Sequence, residues 1–134
     1  MSEVRVKDKP KSIGKLKKEA DKWFSLYVRI SGKRECYTCG KKAGYKELQC
    51  GHFVHRHIRN TRYDLRNARP QCIGCNIFGN GKPHIFAEKL LEELELDGFK
   101  QLLKDGRKTM KFTIKGLESI IETYKSKVEE LNKI

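Results

Sequence analysis

The sequence predicts an α+β fold in which a small cysteine-rich core lies between an N-terminal helix and a helical C-terminal part. Two pairs of cysteines, each of the form CxxC, are separated by 32 residues. Apolar residues recur at spacings of three and four before the first pair and again beyond residue 82, but not between these stretches. With 134 residues, the chain has the length of one domain of modest core size.

The four paired cysteines indicate a structural zinc site. Cys36-Tyr37-Thr38-Cys39 and Cys72-Ile73-Gly74-Cys75 can each supply two thiolates from a tight turn, which together suit a tetrahedral Zn²⁺ site. Disulfides are the weaker alternative, because the chain opens on charged and polar residues without an apolar signal segment. A redox-active CxxC would occur once, after a strand of a βαβ pattern, and the sequence has no such pattern. We therefore expect Cys36, Cys39, Cys72 and Cys75 to bind one structural Zn²⁺.

The N-terminal part is predicted to be a basic arm followed by a helix. Residues 1–11 are highly charged and include Pro10, which is typical of a flexible arm, and residues 12–134 are interpreted as a single domain. Ser12 can cap a helix that occupies residues 12–31. The apolar residues that share one face of this helix are Ile13, Leu16, Ala20, Trp23, Phe24 and Tyr27.

The segment 35–81 is predicted to be the zinc-stapled core, because glycines, cysteines and short apolar runs replace the helical pattern there. Tyr45 to Val54 is expected to form a hairpin or short strands, with His52 near the end of one. The run from Gln71 to Phe78 is expected to enter a short helix at the second cysteine pair.

The segment 82–134 is predicted to be helical, with a first helix that ends at Asp97-Gly98 and a short apolar turn or helix from Phe99 to Leu103. Thr113 can cap a last helix whose apolar residues form a short heptad seam. Two uses of this seam are open: packing on the core of the same chain, or a homodimer through the C-terminal helix. The seam residues are Ile114, Leu117, Ile121, Tyr124, Val128 and Leu131.

Almost all of the excess positive charge lies in the half of the chain that contains the cysteines. Residues 1–76 hold 19 Lys and Arg against 7 Asp and Glu, a net charge of +12, whereas residues 77–134 hold 11 against 10, a net charge of +1. A polyanion is the natural partner of such a surface, because basic side chains that neutralise phosphates release condensed counterions. The basic half has no large apolar face for insertion into a membrane, so we expect no membrane partner.

A histidine and two asparagines follow the order of an HNH, or ββα-metal, nuclease motif. His52 would lie on a strand, Asn67 in the middle of the segment, and Asn76 directly after the second cysteine pair. From about Cys36 to the C-terminus, the chain resembles the NinG (Rap) family of bacteriophage recombination proteins. The segments that carry the resemblance are Gly51-His52-Phe53, Arg62-Tyr63-Asp64-Leu65-Arg66-Asn67, Gln71-Cys72-Ile73-Gly74-Cys75-Asn76, Gly79-Asn80-Gly81 and Phe112-Thr113-Ile114.

The resemblance implies a structure-selective DNA endonuclease that binds and cleaves branched recombination intermediates, such as Holliday junctions and D-loops, by metal-dependent hydrolysis. Residue chemistry is consistent with hydrolysis, because a neutral imidazole is a suitable general base, and His52 would deprotonate the attacking water. Asn67 would hold the loop so that His52 is oriented. Asn76 would offer an oxygen ligand to a catalytic Mg²⁺ or Mn²⁺. The expected location is the cytoplasm of the bacterial host.

One position departs from the motif. Many HNH enzymes have an Asp or His metal ligand immediately before the base histidine, but this chain has Gly51 there. Two alternatives are open: the missing ligand of the catalytic cation comes from Asp64 or His55, or the site is weak or inactive.

Arginines surround the proposed site at intervals of three or four residues, and their forked donors suit phosphate oxygens. We expect them to bind DNA. An alternative function that uses the same zinc site and arginines is a noncatalytic zinc-binding module for DNA or RNA structure. The five arginines are Arg56, Arg59, Arg62, Arg66 and Arg69.

Overall fold

The computed structural model describes residues 11–132 and has three helices and one two-stranded sheet. The predicted arm, apart from Lys11, lies outside the described residues. The α+β fold class is confirmed. In chain order, the elements are α1 (Ile13–Ser31), β1 (Leu48–His52), β2 (Ala68–Cys72), α2 (Pro83–Asp105) and α3 (Ile114–Asn132).

Helix α1 begins and ends where the sequence predicts. The side chain of Ser12 accepts a hydrogen bond from the backbone N–H of Lys15 at 3.2 Å, which satisfies one of the free donors of the first turn. Gly32 follows the last turn. The buried face of the helix consists of Leu16, Ala20, Phe24 and Val28.

Strands β1 and β2 pair antiparallel, so that His52 lies opposite Ala68 and Gly51 opposite Arg69. Residues 53–67 connect them and contain two short 3-10 turns, Arg59–Thr61 and Leu65–Asn67. Of the two forms expected for Tyr45 to Val54, a short strand with His52 at its end is confirmed. The hairpin is wrong, because this stretch supplies only one strand and its partner lies beyond the loop. The short-range sequence pattern could not reveal a partner separated by a long loop.

The second cysteine pair leads into a tight helical turn. Gly74–Phe78 is a π-helix of five residues, a local form that is frequent at functional sites. The chain then turns into α2 through three residues in the left-handed region, Asn80, Gly81 and Lys82, with φ of 53°, 85° and 49°. Only the glycine adopts this region without steric cost.

Helix α2 is broken at Glu95, where φ is 63° and ψ is 170°. The predicted end at Asp97-Gly98 is therefore displaced, and the second helical stretch joins the first without an intervening loop. This combination of φ and ψ is normally reserved for glycine, so Glu95 carries local backbone strain.

Helices α1 and α3 pack against each other and form the larger apolar core. Phe24 and Val28 of α1 meet Tyr124 of α3, and a second cluster joins Leu16 and Ala20 to Leu117. The side-chain hydroxyl of Thr113 accepts the hydrogen bond of Gly116 N–H at 3.0 Å, as the predicted cap requires.

The heptad seam of α3 thus packs on the core of the same chain, which is one of the two uses that the sequence left open. A homodimer through the C-terminal helix stays a prediction, and it would need a different face of α3. No helix within residues 11–132 is both long and apolar enough to cross a membrane.

Helix α2 packs on the opposite side of the cysteine-rich segment. Phe86, Leu90 and Leu102 are buried there, and Tyr37 and Phe53 pack against them. The cysteine-rich segment therefore lies between two helical layers, one formed by α1 with α3 and the other by α2.

Candidate metal centre and candidate active site

The four paired cysteines converge on one point. Their Sγ atoms all lie within 4.8 Å of one another, and Cys39 Sγ is 3.8 Å from Cys72 Sγ. Thiolates at the usual Zn–S distance in a tetrahedron are about 3.8 Å apart, so the group fits a metal such as zinc. Cys50, the fifth cysteine, is not part of this group.

Hydrogen bonds prepare the first cysteine turn for metal binding. The backbone N–H of Gly40 donates to Cys36 O at 2.9 Å, and Gly40 has a left-handed φ of 78° that a tight turn requires. Burial opposes ionisation of the Cys36 thiol, but hydrogen bonds from the Thr38 side chain and from nearby backbone outweigh it and lower its pKa to about 6. A thiolate is the form that binds metal.

His52 lies at the wall of an open cleft with a volume of about 850 Å³. Its Nε2 is 2.9 Å from the backbone carbonyl oxygen of Arg62. Because a carbonyl oxygen can only accept, Nε2 carries the proton, and in the neutral ring Nδ1 is then the unprotonated nitrogen. The ring of Phe24 stacks on the imidazole with centroids 6.0 Å apart and fixes its plane from the side of α1.

The surroundings of His52 favour its neutral form. Burial lowers the pKa of the imidazole, and the positive charges of Arg62 and Arg56 act in the same direction. The carbonyl of Arg62 and the carboxylate of Asp21 oppose this shift without reversing it. A neutral histidine with one free ring nitrogen is the form required of a general base.

Asn67 is completely buried and ties the loop to the end of β1. Its Oδ1 accepts from Val54 N–H at 2.6 Å, and its Nδ2 donates to Val54 O at 2.9 Å and to Thr61 O at 3.1 Å. These bonds fix the chain two residues after His52. This geometry is the one expected of a residue that positions the histidine.

Asn76 lines the same cleft as His52. Its Nδ2 donates to Gln49 Oε1 at 2.8 Å, which orients the side-chain amide. The amide oxygen is then the atom left for another ligand. The π-helical turn that bears Asn76 also contains Cys75 of the second cysteine pair, so metal binding at the cysteines would also fix this amide.

A side chain at position 51 has no room. A Cβ built on Gly51 would overlap Oε1 of Gln71 and lie 2.7 Å from its Cδ. Gln71 is fully buried, and its Nε2 donates to Thr38 Oγ1 at 3.1 Å and to Gly81 O at 2.9 Å. Gln71 therefore occupies the space beside β1 into which a larger residue at position 51 would have to project.

The two candidate replacements for the missing ligand lie in different places. His55 lines the cleft together with His52, and its Nδ1 accepts the hydrogen bond of His57 N–H at 3.2 Å, so that Nε2 carries the proton of the neutral ring. Asp64 lines a separate cavity and is held by the guanidinium of Arg66. The structure thus brings His55 to His52 and does not bring Asp64 there.

The five predicted DNA-binding arginines fall into two groups. Three are engaged within the protein: Arg62 pairs with Asp21, Arg66 with Asp64 and Asp105, and Arg69 with Glu93. Arg62 is the most enclosed, with 9% of its side chain exposed. Arg56 and Arg59 are exposed and form no ion pair within residues 11–132, and Arg56 lines the cleft. The even spacing of the five residues did not separate these roles, since each carboxylate partner other than Asp64 comes from a distant part of the chain.

Sequence reasoning missed several residues of the cleft. Asp21 and Arg29 reach it from α1, and Lys46 and Gln49 reach it from the stretch before and within β1. The sequence held one usable signal: Asp21 and Arg29 are two turns apart and so share a face of the helix. The contact of that face with His52 depends on tertiary packing.

A family model described as "NinG: Bacteriophage Lambda NinG protein" matches residues 2–133 of the chain. No curated protein and no solved structure matches the chain. The family match covers the cysteine-rich segment together with the helices on both sides.

Proposed function

We propose that this chain, which belongs to the bacteriophage lambda NinG family, is a structure-selective endonuclease that acts on branched DNA in phage recombination. The reaction would be metal-dependent hydrolysis of a phosphodiester in a Holliday junction or D-loop. Its core would be of the HNH-like, ββα-metal type, with β1, β2 and the turn at Gly74–Phe78 as the characteristic elements.

The observation that carries the proposal is the tautomer of His52. The Nε2–H group donates to Arg62 O, so the free Nδ1 is the atom that would take a proton from water. Burial keeps the ring neutral, as the lowered pKa indicates. Asn67 would act as a positioning residue, because two of its three hydrogen bonds hold Val54, two residues after His52, and the third goes to Thr61 in the loop.

The cleft also offers donors for a catalytic cation. Oδ1 of Asn76 and Nδ1 of His55 would be the protein ligands, and water would complete the shell, as is usual for Mg²⁺. Binding at Nδ1 would replace the hydrogen bond that this atom accepts from His57 N–H. Bound there, Mg²⁺ or Mn²⁺ would stabilise charge on the phosphate and on the leaving oxygen. A set of one amide and one imidazole is sparse for Mg²⁺ and suits Mn²⁺ better, since imidazole is a better ligand for the softer ion.

The charge around the cleft supports a DNA substrate. Arg29, Lys46 and Arg56 line it, and the single carboxylate among the lining residues, Asp21, is already paired with Arg62. A phosphate entering the cleft would meet donors on several sides without an unpaired carboxylate opposing it.

The test is cleavage of a labelled four-way junction with Mg²⁺ or Mn²⁺ by the wild type and by His52→Ala. We expect the variant to lose at least about 100-fold in cleavage rate, as removal of a general base does, while zinc content and junction affinity stay within twofold. His84→Ala is the matched control, because His84 is an exposed histidine on α2 outside the cleft. Cleavage by His52→Ala at the wild-type rate would show that this histidine is not the base.

A noncatalytic module that binds DNA or RNA structure is the second candidate, and the closed space at Gly51 favours it. With Gln71 in that space, the position that supplies a metal ligand in many HNH enzymes cannot contribute one. A wild-type protein that binds junctions but cuts none of them with Mg²⁺, Mn²⁺, Co²⁺ or Ni²⁺ would establish this alternative.

A further inference from the structure

An exposed apolar edge lies beside the candidate active site. The residues that form it are Ile73, Ile77 and Phe78, with 52%, 53% and 80% of their surface exposed. Phe78 is the most exposed of the large apolar residues in the described part of the chain. All three belong to the segment that carries the second cysteine pair and Asn76.

This edge is rigidly anchored. The backbone N–H of Gly79 donates to Gly74 O at 2.8 Å, and that of Gly81 donates to Cys75 O at 2.8 Å. The buried amide of Gln71 holds Gly81 from the other side. Phe78 is therefore presented on a turn that is fixed by hydrogen bonds and by the cysteine group, so that little flexibility would be lost when it meets a partner.

The immediate surroundings of the edge are basic and belong to the cleft. Ile77, Asn80 and Gly81 line the cleft on either side of Phe78 in the sequence, together with Arg29, Lys46 and Arg56. The side chain of Lys82 packs closely over Gly79, where an added Cβ would lie only 2.6 Å from Lys82 Cε. An aromatic ring beside cations suits a polyanion that also has flat apolar faces, which is the chemistry of a nucleic acid with an unstacked base.

We propose that Phe78, supported by Ile77, is a wedge that stacks on a nucleobase exposed at the branch point of a DNA junction. The inference rests on the proposed function only in taking branched DNA as the ligand, and it requires no cleavage. In an intact linear duplex the bases are stacked on each other, and insertion would have to separate them. At a branch point the stacking is already interrupted, so Phe78 would favour branched over linear DNA.

The experiment compares the affinities of the wild type and Phe78→Ala for a four-way junction and for a linear duplex of the same length, without added divalent cation. We expect the variant to lose about 5- to 150-fold in junction affinity, the range for loss of one base–aromatic stack, and less than twofold in duplex affinity. Phe78→Trp should keep the junction preference. Leu96→Ala is the matched control, because Leu96 is an exposed apolar residue of α2, 55% accessible, outside the cleft.

A junction with abasic sites next to the branch point sharpens the test. The wild type should lose affinity for this junction, whereas Phe78→Ala should lose nothing further, because both changes remove the same stack. Equal losses for junction and duplex in Phe78→Ala, or full additivity with the abasic sites, would overturn the wedge. Sedimentation is compared for the two proteins as well. If the wild type is a dimer, Phe78→Ala is a monomer and the DNA affinity is unchanged, the edge serves self-association and the wedge is wrong.

The two proposals fail separately. If the wild type never cleaves but Phe78→Ala still loses junction preference, the role of Phe78 as a wedge is supported and the endonuclease proposal is wrong. If the wild type cleaves, and Phe78→Ala cleaves and binds as well as the wild type does, the endonuclease proposal is supported and the wedge is wrong.

Discussion

Two regions of this molecule are stabilised in different ways. The pair α1 and α3 is joined by apolar side chains, among them Phe24, Leu117 and Tyr124. The segment 35–81 instead depends on four cysteines, buried amides and ion pairs; among its buried residues are Thr38, Thr61, Arg62, Asn67 and Gln71. The first region can be recognised from hydrophobic periodicity, and the second only from motif spacing.

The difference explains where the candidate active site lies. Every predicted catalytic residue belongs to the polar segment, but α1 reaches the site through the stacking of Phe24 on His52 and the pairing of Asp21 with Arg62. The apolar pair is thus a platform against which the polar segment places the candidate catalytic residues. Sites built against rigid elements keep their geometry more accurately than free loops do.

Removal of the metal should have the largest effect and should disorder only one of the two regions. In protein with one Zn²⁺ per chain, chelation or Cys75→Ser should abolish the order of residues 35–81, since structural zinc contributes roughly 10–16 kcal/mol of apparent binding free energy in small domains. Hydrogen exchange should show lost protection in β1 and β2 and retained protection in α1 and α3. Cys50→Ser, at a cysteine outside the cluster, is the control. Metal analysis that finds no zinc in protein purified without chelator would contradict the premise.

The reverse experiment weakens the apolar region. Leu117 is fully buried between α1 and α3, so Leu117→Ala should lower the free energy of unfolding by about 2–5 kcal/mol. Zinc content should stay at the wild-type value, as denaturant unfolding and metal analysis of the same samples would reveal. Ile114→Ala, at an exposed residue of the same helix, should cost less than about 1 kcal/mol. Zinc lost in proportion to stability would mean that the two regions form one cooperative unit.

A smaller effect should distinguish the arginines of the polar segment. Arg56→Ala should weaken junction binding and lower the salt slope by about one unit, because Arg56 is exposed in the cleft. The double variant Arg62→Ala/Asp21→Asn removes the ion pair without leaving an unpaired carboxylate in the cleft, so it should leave the slope unchanged and lower the free energy of unfolding by roughly 1–3 kcal/mol. Binding titrations at several salt concentrations and denaturant unfolding measure both quantities. A reduced slope for this double variant, with an unchanged slope for Arg56→Ala, would show that Arg62 and not Arg56 contacts phosphate.

The sequence was sufficient for the features that depend on local pattern. The bounds of α1, the Thr113 cap of α3 and the clustering of the cysteines all follow from short-range spacing. The partner of β1 and the pairing of Arg62 with Asp21 depend on packing between distant residues, which periodicity does not encode. The break at Glu95 falls on a residue that is neither glycine nor proline, so its residue type did not mark it. Asp64 is a different case, since its partner Arg66 is only two residues away, but the motif order did not show that this carboxylate is paired there and lies outside the cleft.

The close fit of Gln71 against Gly51 restricts the mutational routes open to this site. A change of Gly51 to aspartate while Gln71 is present would force the new side chain into an occupied space. A change of Gln71 first would open a void and release its hydrogen bonds to Thr38 and Gly81. Either single step damages the protein before the second can repair it, so the two positions are epistatic. A lineage with this pair is therefore unlike one with a metal ligand at position 51, and a cation site in this cleft would have to use ligands from other lining residues.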